Sequence, residues 1–361
     1  MKLARLVLSG AVATLGLLSS VAAEIVISPK ITGLDAPWGL AHLPDGSVLV
    51  TEKEGQILLW RDGKTQTVGG APAVVDSGQG GLLDITVSRD FATTRTVWLT
   101  YSKRQSGGAG TALAAAELSS DGKRLDNLRD LFVMAPGSSG GRHFGSRVVE
   151  AKDGTLFVTI GDRGNRPEAQ NRANHIGTIV RINRDGSVPA DNPFVGQAGI
   201  QPEIWSFGHR NPQGAGLDAN GQLWTAEHGA RGGDEVNRIK KGANFGWPVI
   251  SYGKHYSGAK IGQGTEQDGM EQPAMYWDPS MAPSGLLVYT GDMFPQWRGD
   301  IFVGSLKFDY ISRIEVTGAN AREVAQISNS ATERVRDITQ APDGSIWFIS
   351  VGNGAIYEMR Q

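Results

Sequence analysis

The sequence predicts an all-β protein, a six-bladed β-propeller with four-stranded antiparallel blades. Three observations favour this fold: 49 glycines among 361 residues, 9 tryptophans, and one strand–turn–strand pattern that recurs six times. Such a composition is typical of a turn-rich β protein, and a propeller repeats its blades radially so that only short sheet edges remain. A large two-sheet sandwich is the alternative, but a sandwich does not repeat one hairpin motif along the whole chain.

The recurring unit is a polar turn that leads into an apolar strand. The copies LPDGSVLV and PDGSIWF, near the two ends of the chain, are nearly identical. The copies lie at residues 43–50, 88–91 leading into 96–100, 153–158, 220–225, 298–303 and 342–348. Asp-Gly and Asn-Gly pairs are typical of type I′ turns, in which both central residues take positive φ. We therefore predict type I′ turns in these hairpins.

Two segments interrupt the even spacing of the repeats, residues 102–129 and 251–277. We predict that both are insertions between blades. The second contains Tyr252, His255 and Tyr256 among glycines, so it is predicted to be a long surface loop. A lid over one face of the propeller is the alternative interpretation of this segment.

The N-terminus has the features of a secretory signal peptide. Lys2 and Arg5 precede an apolar stretch, and the small residues 21–23 (Val-Ala-Ala) form a cleavage site. We expect residues 1–23 to be removed and residues 24–361 to form a single propeller domain in the periplasm, with no membrane span left after cleavage. The chain has no cysteine, which excludes disulfides and thiolate metal sites.

The charge balance of the mature chain argues against one class of partner, nucleic acid. Removing Lys2 and Arg5 from the 35 basic residues leaves 33 against 37 acidic ones. A protein with this slight excess of acidic residues is not expected to bind nucleic acid.

Polar clusters lie beside the repeated hairpins. They are GQGGLLD (78–84), RHFGSR (142–147), GDRGNR (161–166), GHRNPQG (208–214), HGARGGDE (228–235), SLK (305–307) and RVRD (334–337). Because equivalent loops of successive blades converge on the axis, we predict one pocket that contains His143, Arg210, Lys307, Arg334 and Arg336. Several cations in one pocket indicate an anionic ligand, and arginine suits planar carboxylates through bidentate bonds.

Taken together, these segments are specific. The chain resembles the soluble pyrroloquinoline quinone (PQQ)-dependent sugar dehydrogenases, in particular the aldose sugar dehydrogenase branch. The resemblance is strongest in GQGGLLD, RHFGSR, GDRGNR, GHRNPQG and RVRD, and in DGSVPADNPF (185–194), GDEVN (233–237) and NFGWP (244–248). The resemblance covers nearly the whole mature chain. It implies an exported enzyme that oxidises aldose sugars at the anomeric carbon to lactones, with PQQ and Ca²⁺ as cofactors.

The resemblance also implies roles for three catalytic residues. His143 matches the general base that takes the proton of the anomeric hydroxyl while hydride leaves for PQQ, and imidazole suits this task near neutral pH. Asp162 matches the carboxylate that orients this histidine. Arg210 matches the arginine over the reacting quinone carbonyl, where negative charge develops.

Further residues match the family's binding positions. Gln79 falls where the family contacts the substrate. The positions that match cofactor-binding residues are Arg210, Asn211, Lys307, Arg334 and Arg336, and the three carboxylates of PQQ account for this excess of cations. Gly229 and Ala230 match the residues whose backbone carbonyls bind calcium, which is a hard cation that prefers oxygen ligands.

The chain departs from the family pattern in four places. His228 and Ala230 occupy positions where the glucose-oxidising members have glutamine and proline. Residues 251–255 do not reproduce the second calcium site through which those members dimerise, so we expect a monomer, or a dimer that is built differently. The substrate loops differ as well, which leaves the physiological sugar and the electron acceptor open.

Two other functions are compatible with the architecture. A calcium-dependent lactonase would need carboxylate and asparagine side chains that converge on one metal, and it would not need Lys307 and the two arginines of RVRD. A non-catalytic propeller that binds carbohydrate or protein would explain the repeats but not the separate cluster of cations.

Overall fold

A computed structural model describes residues 25–361 of the protein. The described chain contains 24 β-strands in six four-stranded antiparallel sheets. The predicted six-bladed propeller with four-stranded antiparallel blades is therefore confirmed. The predicted signal peptide and the start of the mature chain at Glu24 lie outside the described residues.

The first strand, β1 (Val26–Thr32), belongs to the last blade. Blade 1 contains β2 (Pro37–His42), β3 (Val48–Glu52), β4 (Gln56–Arg61) and β5 (Lys64–Thr67), and blade 2 contains β6 (Leu82–Val87), β7 (Thr96–Gln105), β8 (Gly108–Leu118) and β9 (Leu125–Val133). Blade 3 contains β10 (Val148–Glu150), β11 (Leu156–Thr159), β12 (Thr178–Ile182) and β13 (Ile204–Phe207), and blade 4 contains β14 (Pro212–Leu217), β15 (Leu223–Glu227), β16 (Asp234–Arg238) and β17 (Met275–Trp277). Blade 5 contains β18 (Pro283–Val288), β19 (Ile301–Ser305), β20 (Ile311–Thr317) and β21 (Asn320–Ile327), and blade 6 contains β22 (Val335–Gln340), β23 (Ile346–Ser350) and β24 (Ala355–Arg360) together with β1.

Helix is scarce between residues 25 and 361. It comprises one short α-helix, α1 (Phe91–Thr94), and two 3-10 segments, Arg166–Gln170 and Pro295–Trp297. None of the helices in this range has the length and apolar character needed to span a bilayer.

The ring is closed by its two ends. Strand β1 pairs antiparallel with β24, from Val26 opposite Arg360 to Thr32 opposite Ala355, with a bulge between Pro29 and Ile31. The sixth blade thus takes its fourth strand from the beginning of the chain.

The first strands of the six blades surround the propeller axis, because each contacts the first strand of both neighbouring blades. Apolar side chains fill the space between successive blades. Leu49 and Ile57 of blade 1 pack with Val97 and Leu99 of blade 2, and all four are fully buried. Each such side chain contributes roughly 1.5–3 kcal/mol to folding, so the packed blades hold the loops above them in fixed positions.

The repeated hairpin occupies the same place in every blade, between its first and second strands. The predicted type I′ turn is wrong, however. In the first copy the Gly46 amide donates to the Leu43 carbonyl at 3.0 Å, and Gly46 has φ of 83° whereas Asp45 does not take positive φ. This is a type I turn followed by a left-handed glycine. The reason is the Asp45 carboxylate, which accepts from the Ser47 amide at 3.0 Å and keeps the aspartate in the ordinary backbone region.

Neither predicted insertion lies between blades. Residues 102–129 form most of strands β7 to β9 inside blade 2. Residues 251–277 fall largely within the connection between β16 and β17, which are the third and fourth strands of blade 4. The degenerate copy of the hairpin in blade 2 has its own explanation, because α1 replaces the tight turn there.

A buried ion network joins the blades near the axis. Arg147 contacts Asp84 of β6 at 2.9 Å and Asp337 of β22 at 2.8 Å, and its Nε donates to the Gln213 carbonyl of β14 at 2.7 Å. Asp84 and Asp337 also accept backbone amides of neighbouring blades, from Val148 at 2.9 Å and Leu40 at 3.1 Å. The aspartates therefore serve as hydrogen-bond partners between blades.

Candidate active site

The centre of the site is a histidine–carboxylate pair. His143 Nδ1 lies 2.6 Å from Asp162 Oδ1, and the two side chains are 12% and 0% exposed. His143 has φ of 55°, a left-handed conformation that is uncommon for a residue other than glycine. The Gln79 side chain supports this backbone, because its Oε1 accepts the His143 amide at 2.6 Å. The structure thus brings His143, Asp162 and Gln79 together.

Asp162 is held on both of its oxygens. The Trp247 indole Nε1 donates to Oδ2 at 2.8 Å, and the Gly164 amide donates to Oδ1 at 2.7 Å. Burial alone would raise the pKa of Asp162, but its hydrogen bond with His143 and the positive charge of Arg210 lower the pKa overall. The carboxylate is therefore ionised and accepts the Nδ1 proton of His143.

The pKa of His143 is lowered from its usual value of 6.5. Burial is the main cause, and the positive charge of Arg210 acts in the same direction, whereas Asp162 opposes the shift. At neutral pH the ring is consequently uncharged, with its proton on Nδ1, and Nε2 is the nitrogen that can accept another proton.

Arg210 lies beside this pair and is 5% exposed. Its backbone amide donates to Glu227 Oε2 at 3.0 Å, and its Nη1 donates to the His228 carbonyl at 3.0 Å. Its guanidinium also stacks 5.3 Å from the Trp247 ring. Among the described residues its Nε finds no hydrogen-bond partner, so a buried donor remains available for a ligand.

Asn211 and Arg336 both contact the side chain of Gln213. Asn211 Oδ1 accepts the Gly145 amide at 3.1 Å and lies 3.4 Å from Gln213 Nε2. Arg336 Nη1 donates to Gln213 Oε1 at 2.8 Å. The pKa of Arg336 is lowered to about 9, first by burial and then by the positive charges of Arg147 and Arg334. An anion placed here would relieve that repulsion.

An open cavity of about 920 Å³ adjoins these residues. His228, Gly229, Ala230 and Lys307 are part of its wall, whereas His143, Arg334 and Arg336 are not. Lys307 Nζ donates to the Ser280 carbonyl at 3.2 Å and has no carboxylate partner in residues 25–361. The wall therefore presents a cation that is not neutralised by the protein.

His228 connects the cavity with the His143 group. Its pKa is lowered to about 3, mainly by burial and then by the charges of Arg210, Arg336 and His143. Its Nε2 lacks a hydrogen-bond partner within the described chain. A neutral imidazole with a free nitrogen next to Arg210 is thus a second polar group that remains available for a ligand.

Arg334 lies outside the cavity wall. It is exposed, with φ of 51°, and its Nη1 donates to the Leu306 carbonyl at 3.0 Å. This contact holds the Arg334 side chain against the backbone next to Lys307, and Arg334 does not line the cavity.

The donor set fits both groups that the sequence implied. The cavity wall contains the unpartnered His228 Nε2 and an unpaired lysine, and the unpartnered Arg210 Nε lies next to it. These donors suit a carboxylated planar quinone. Between residues 25 and 361 no three His, Cys, Asp or Glu side chains come together as a metal site. A calcium ion would therefore depend on backbone oxygens, as at Gly229 and Ala230, with Asp278 as a carboxylate of the same wall.

Comparison with known proteins decides the family. The profile described as glucose/sorbosone dehydrogenase matches residues 34–358. This chain belongs to the glucose/sorbosone dehydrogenase family. The aldose sugar dehydrogenase YliI of Escherichia coli is 41% identical over 324 residues, which cover 88% of this chain and 87% of that protein.

Two solved structures of sugar dehydrogenases have the same fold. The soluble aldose sugar dehydrogenase of Escherichia coli in its apo-form has a TM-score of 0.90 and 39% identity, and covers 93% of this chain and 99% of its own. The PQQ-bound aldose sugar dehydrogenase of Streptomyces coelicolor has a TM-score of 0.79 and 26% identity, with 94% and 98% covered. The named relatives are sugar dehydrogenases, so this glucose/sorbosone dehydrogenase family member is an oxidoreductase.

Sequence reasoning gave no role to several residues that this family member places at the site. Trp247 contacts both Arg210 and Asp162, and Glu227 holds the Arg210 backbone. Lys254 and Tyr256 form part of the cavity wall. Trp247 occurs in the NFGWP motif, which could have drawn attention to it, whereas Glu227 lies inside a buried strand without any local motif.

Proposed function

We propose that the protein is an exported quinoprotein that oxidises aldose sugars at the anomeric carbon to lactones, with PQQ and calcium as cofactors. The observation that carries the proposal is the 2.6 Å contact between His143 and Asp162 beside a cavity with an unpaired cation. A buried base with an orienting carboxylate, next to a site for an anion, is what hydride removal from an alcohol needs.

His143 is the base in this scheme. Asp162 holds Nδ1 in its protonated form, so Nε2 takes the proton of the anomeric hydroxyl as the carbon–hydrogen bond breaks. The Arg210 guanidinium would stabilise the negative charge that develops at the reacting quinone carbonyl. Burial of Asp162 and Arg210 reduces the screening of these charges by water, which strengthens their effect.

The cofactor would be held by cations and backbone oxygens. Lys307 and Arg210 would bind its carboxylates and carbonyl, and Asn211, Arg334 and Arg336 would complete the polar surroundings. The backbone of Gly229 and Ala230 would bind calcium. When bound, the quinone supplies the two-electron acceptor that the protein's own side chains lack.

The direct test is reconstitution. Apo-protein is mixed with PQQ and Ca²⁺, and a panel of aldoses is screened with an artificial dye as electron acceptor. We expect dye reduction that requires both additions and a lactone as the product. The proposal would be rejected by dye reduction without the quinone, or by no aldose being oxidised by the reconstituted protein.

Replacement of the cavity cations should weaken cofactor binding. Lys307→Ala removes a charge-assisted bond of roughly 1.5–3 kcal/mol, so PQQ affinity should fall about tenfold to a hundredfold. Arg334→Ala removes a charge that lies outside the cavity wall, so the fall should be smaller. Titration of apo-protein with PQQ measures this. Lys64→Ala, which removes an exposed lysine of strand β5, is the matched control. Wild-type affinity in both site variants would assign these cations to another task.

Export to the periplasm gives a separate prediction. Cleavage after Ala23 should leave a mature chain that begins at Glu24, because Val21 and Ala23 are the small residues that signal peptidase requires. Mass spectrometry of the intact exported protein would establish the first residue. Recovery of an uncleaved, membrane-bound chain would argue against this part of the proposal.

A further inference from the structure

The connection between β16 and β17 contributes a turn to the cavity wall. Lys254, Tyr256 and Gly258 all line the cavity. The turn is closed by two hydrogen bonds of 2.8 Å, from the His255 amide to the Ala259 carbonyl and from the Gly258 amide to the His255 carbonyl. The segment that the sequence suggested to be a surface loop therefore forms part of the site.

Two anchors fix this turn relative to the catalytic pair. The backbones of Lys254 and Arg231 exchange hydrogen bonds of 3.0 and 3.1 Å. The Arg166 guanidinium lies 2.7 Å from His255 Nδ1, and it also stacks 5.4 Å from the Trp247 ring. The Trp247 indole also donates to Asp162, so Trp247 contacts both the arginine that holds the turn and the carboxylate that orients the base.

Tyr256 is the aromatic side chain that this turn presents to the cavity. It is 71% exposed, more than any other large hydrophobic side chain in the described range. The other exposed tyrosine, Tyr276, stacks on Tyr252 at 4.0 Å, and the exposed ring of Phe308 lies under the Lys307 ammonium at 4.7 Å. Tyr256 has no aromatic neighbour of this kind among residues 25–361. An anchored aromatic ring left open in a cavity wall is a surface for a ligand.

The position of Tyr256 relative to Arg210 indicates which ligand that is. Tyr256 lines the same cavity as His228, whose backbone carbonyl accepts Arg210 Nη1 at 3.0 Å. The Tyr256 ring thus faces the cavity that adjoins Arg210 and the catalytic pair.

We infer that the Tyr256 ring stacks on the aldopyranose substrate and determines how tightly the sugar binds. A pyranose presents a face of carbon-bound hydrogens beside its polar rim, and an aromatic ring covers that face while leaving the hydroxyls free to hydrogen-bond. Tyr256 is in this assignment a specificity-determining residue that takes no part in proton transfer. The inference rests on the proposed function for the identity of the sugar.

The test separates sugar binding from turnover and from cofactor binding. Tyr256→Ala, Tyr256→Phe and the control Tyr276→Ala are made in the full chain. Each is titrated with PQQ as apo-protein. After reconstitution, the Kd of a methyl glycoside, which has no anomeric hydroxyl to deprotonate, is measured by calorimetry, and kcat and KM are measured for the parent aldose.

Tyr256→Ala should raise the methyl glycoside Kd and the aldose KM by about threefold to tenfold, with kcat and PQQ affinity changed by less than about twofold. Tyr256→Phe keeps the ring and should bind like the parent, as should Tyr276→Ala. An unchanged Kd in Tyr256→Ala overturns the inference, and so does a loss of PQQ affinity or of kcat alone. A parent protein that binds the glycoside through Tyr256 but oxidises no aldose would reject the proposed function and leave this assignment standing.

Discussion

Replacing His143 by alanine should give a folded, PQQ-binding protein whose turnover falls by about a hundredfold to ten-thousandfold, the usual contribution of a positioned base. The cations proposed to bind the cofactor lie on other strands and loops, so quinone affinity should remain. The variant loses one hydrogen bond to Asp162, which keeps its bonds from Trp247 and Gly164. Cofactor-saturated turnover and thermal unfolding, measured on the same preparation, test this expectation.

The pH dependence of the unsubstituted enzyme follows from the state of the base. Only neutral imidazole accepts the proton, so activity should rise with pH through the pKa of His143 and then level off. Burial lowers that pKa below the usual 6.5, so the rise should occur on the acid side of 6.5 and the plateau should include neutral pH. In His143→Ala this limb should be absent from the profile.

A buried histidine elsewhere in the ring supplies the control. His175 accepts the Ala135 amide at 3.0 Å and contacts Glu203 at 3.3 Å, away from the cavity wall. His175→Ala should melt at a lower temperature and turn over normally while folded. If His143→Ala behaved in this way instead, His143 would be a structural residue and the proposed mechanism would lose its base.

Replacing Arg147 by methionine should destabilise the fold by about 3–5 kcal/mol, because it leaves two buried carboxylates without their counter-charge. Burial raises the pKa of Asp84 to about 6 even with Arg147 present, and it raises the pKa of Asp337 as well. Groups whose folded pKa is raised bind protons more tightly in the folded chain. The stability of the variant should therefore increase as the pH is lowered from 7 towards 5.

Urea unfolding of the variant at these two pH values measures both effects. Arg124→Met is the matched control, because Arg124 pairs with Asp126 at 2.7 Å on the surface, and exposed pairs contribute about 0–1 kcal/mol. A loss at pH 7 no larger than that of the control would mean that the Asp84–Arg147–Asp337 network does not hold the blades together.

The architecture was predictable because its repeat is local. The Asp-Gly-Ser turn bonds within itself, so its chemistry is visible in consecutive residues such as Asp45 and Ser47. Strand β8 was missed for the opposite reason. Its sequence GAGTALAAAEL is rich in alanine and buried on both faces, so no alternation marks it as a strand, and only pairing with β7 and β9 defines it.

Only the site residues that lie in short sequence motifs could be predicted. His143, Asp162 and Arg210 each lie in a short polar cluster, and the fold brings these clusters together. The contacts that complete the site connect distant parts of the chain, such as Trp247 with Asp162 and Arg166 with His255. Which aromatic ring meets which carboxylate depends on blade packing, and a single sequence contains no local mark of it.

The pairing of β1 with β24 closes the ring between the two ends of the chain. The protein should therefore stay soluble only when its last strand has been synthesised. Blades 1 to 5 use consecutive strands and can form as the chain lengthens, but β1 must wait until residues 355–360 exist. A chain that stops short of Ala355 would leave β1 without a partner and β23 with an open edge. Unpaired edges recruit other chains, so prematurely ended products should aggregate or be degraded rather than persist as five-bladed rings.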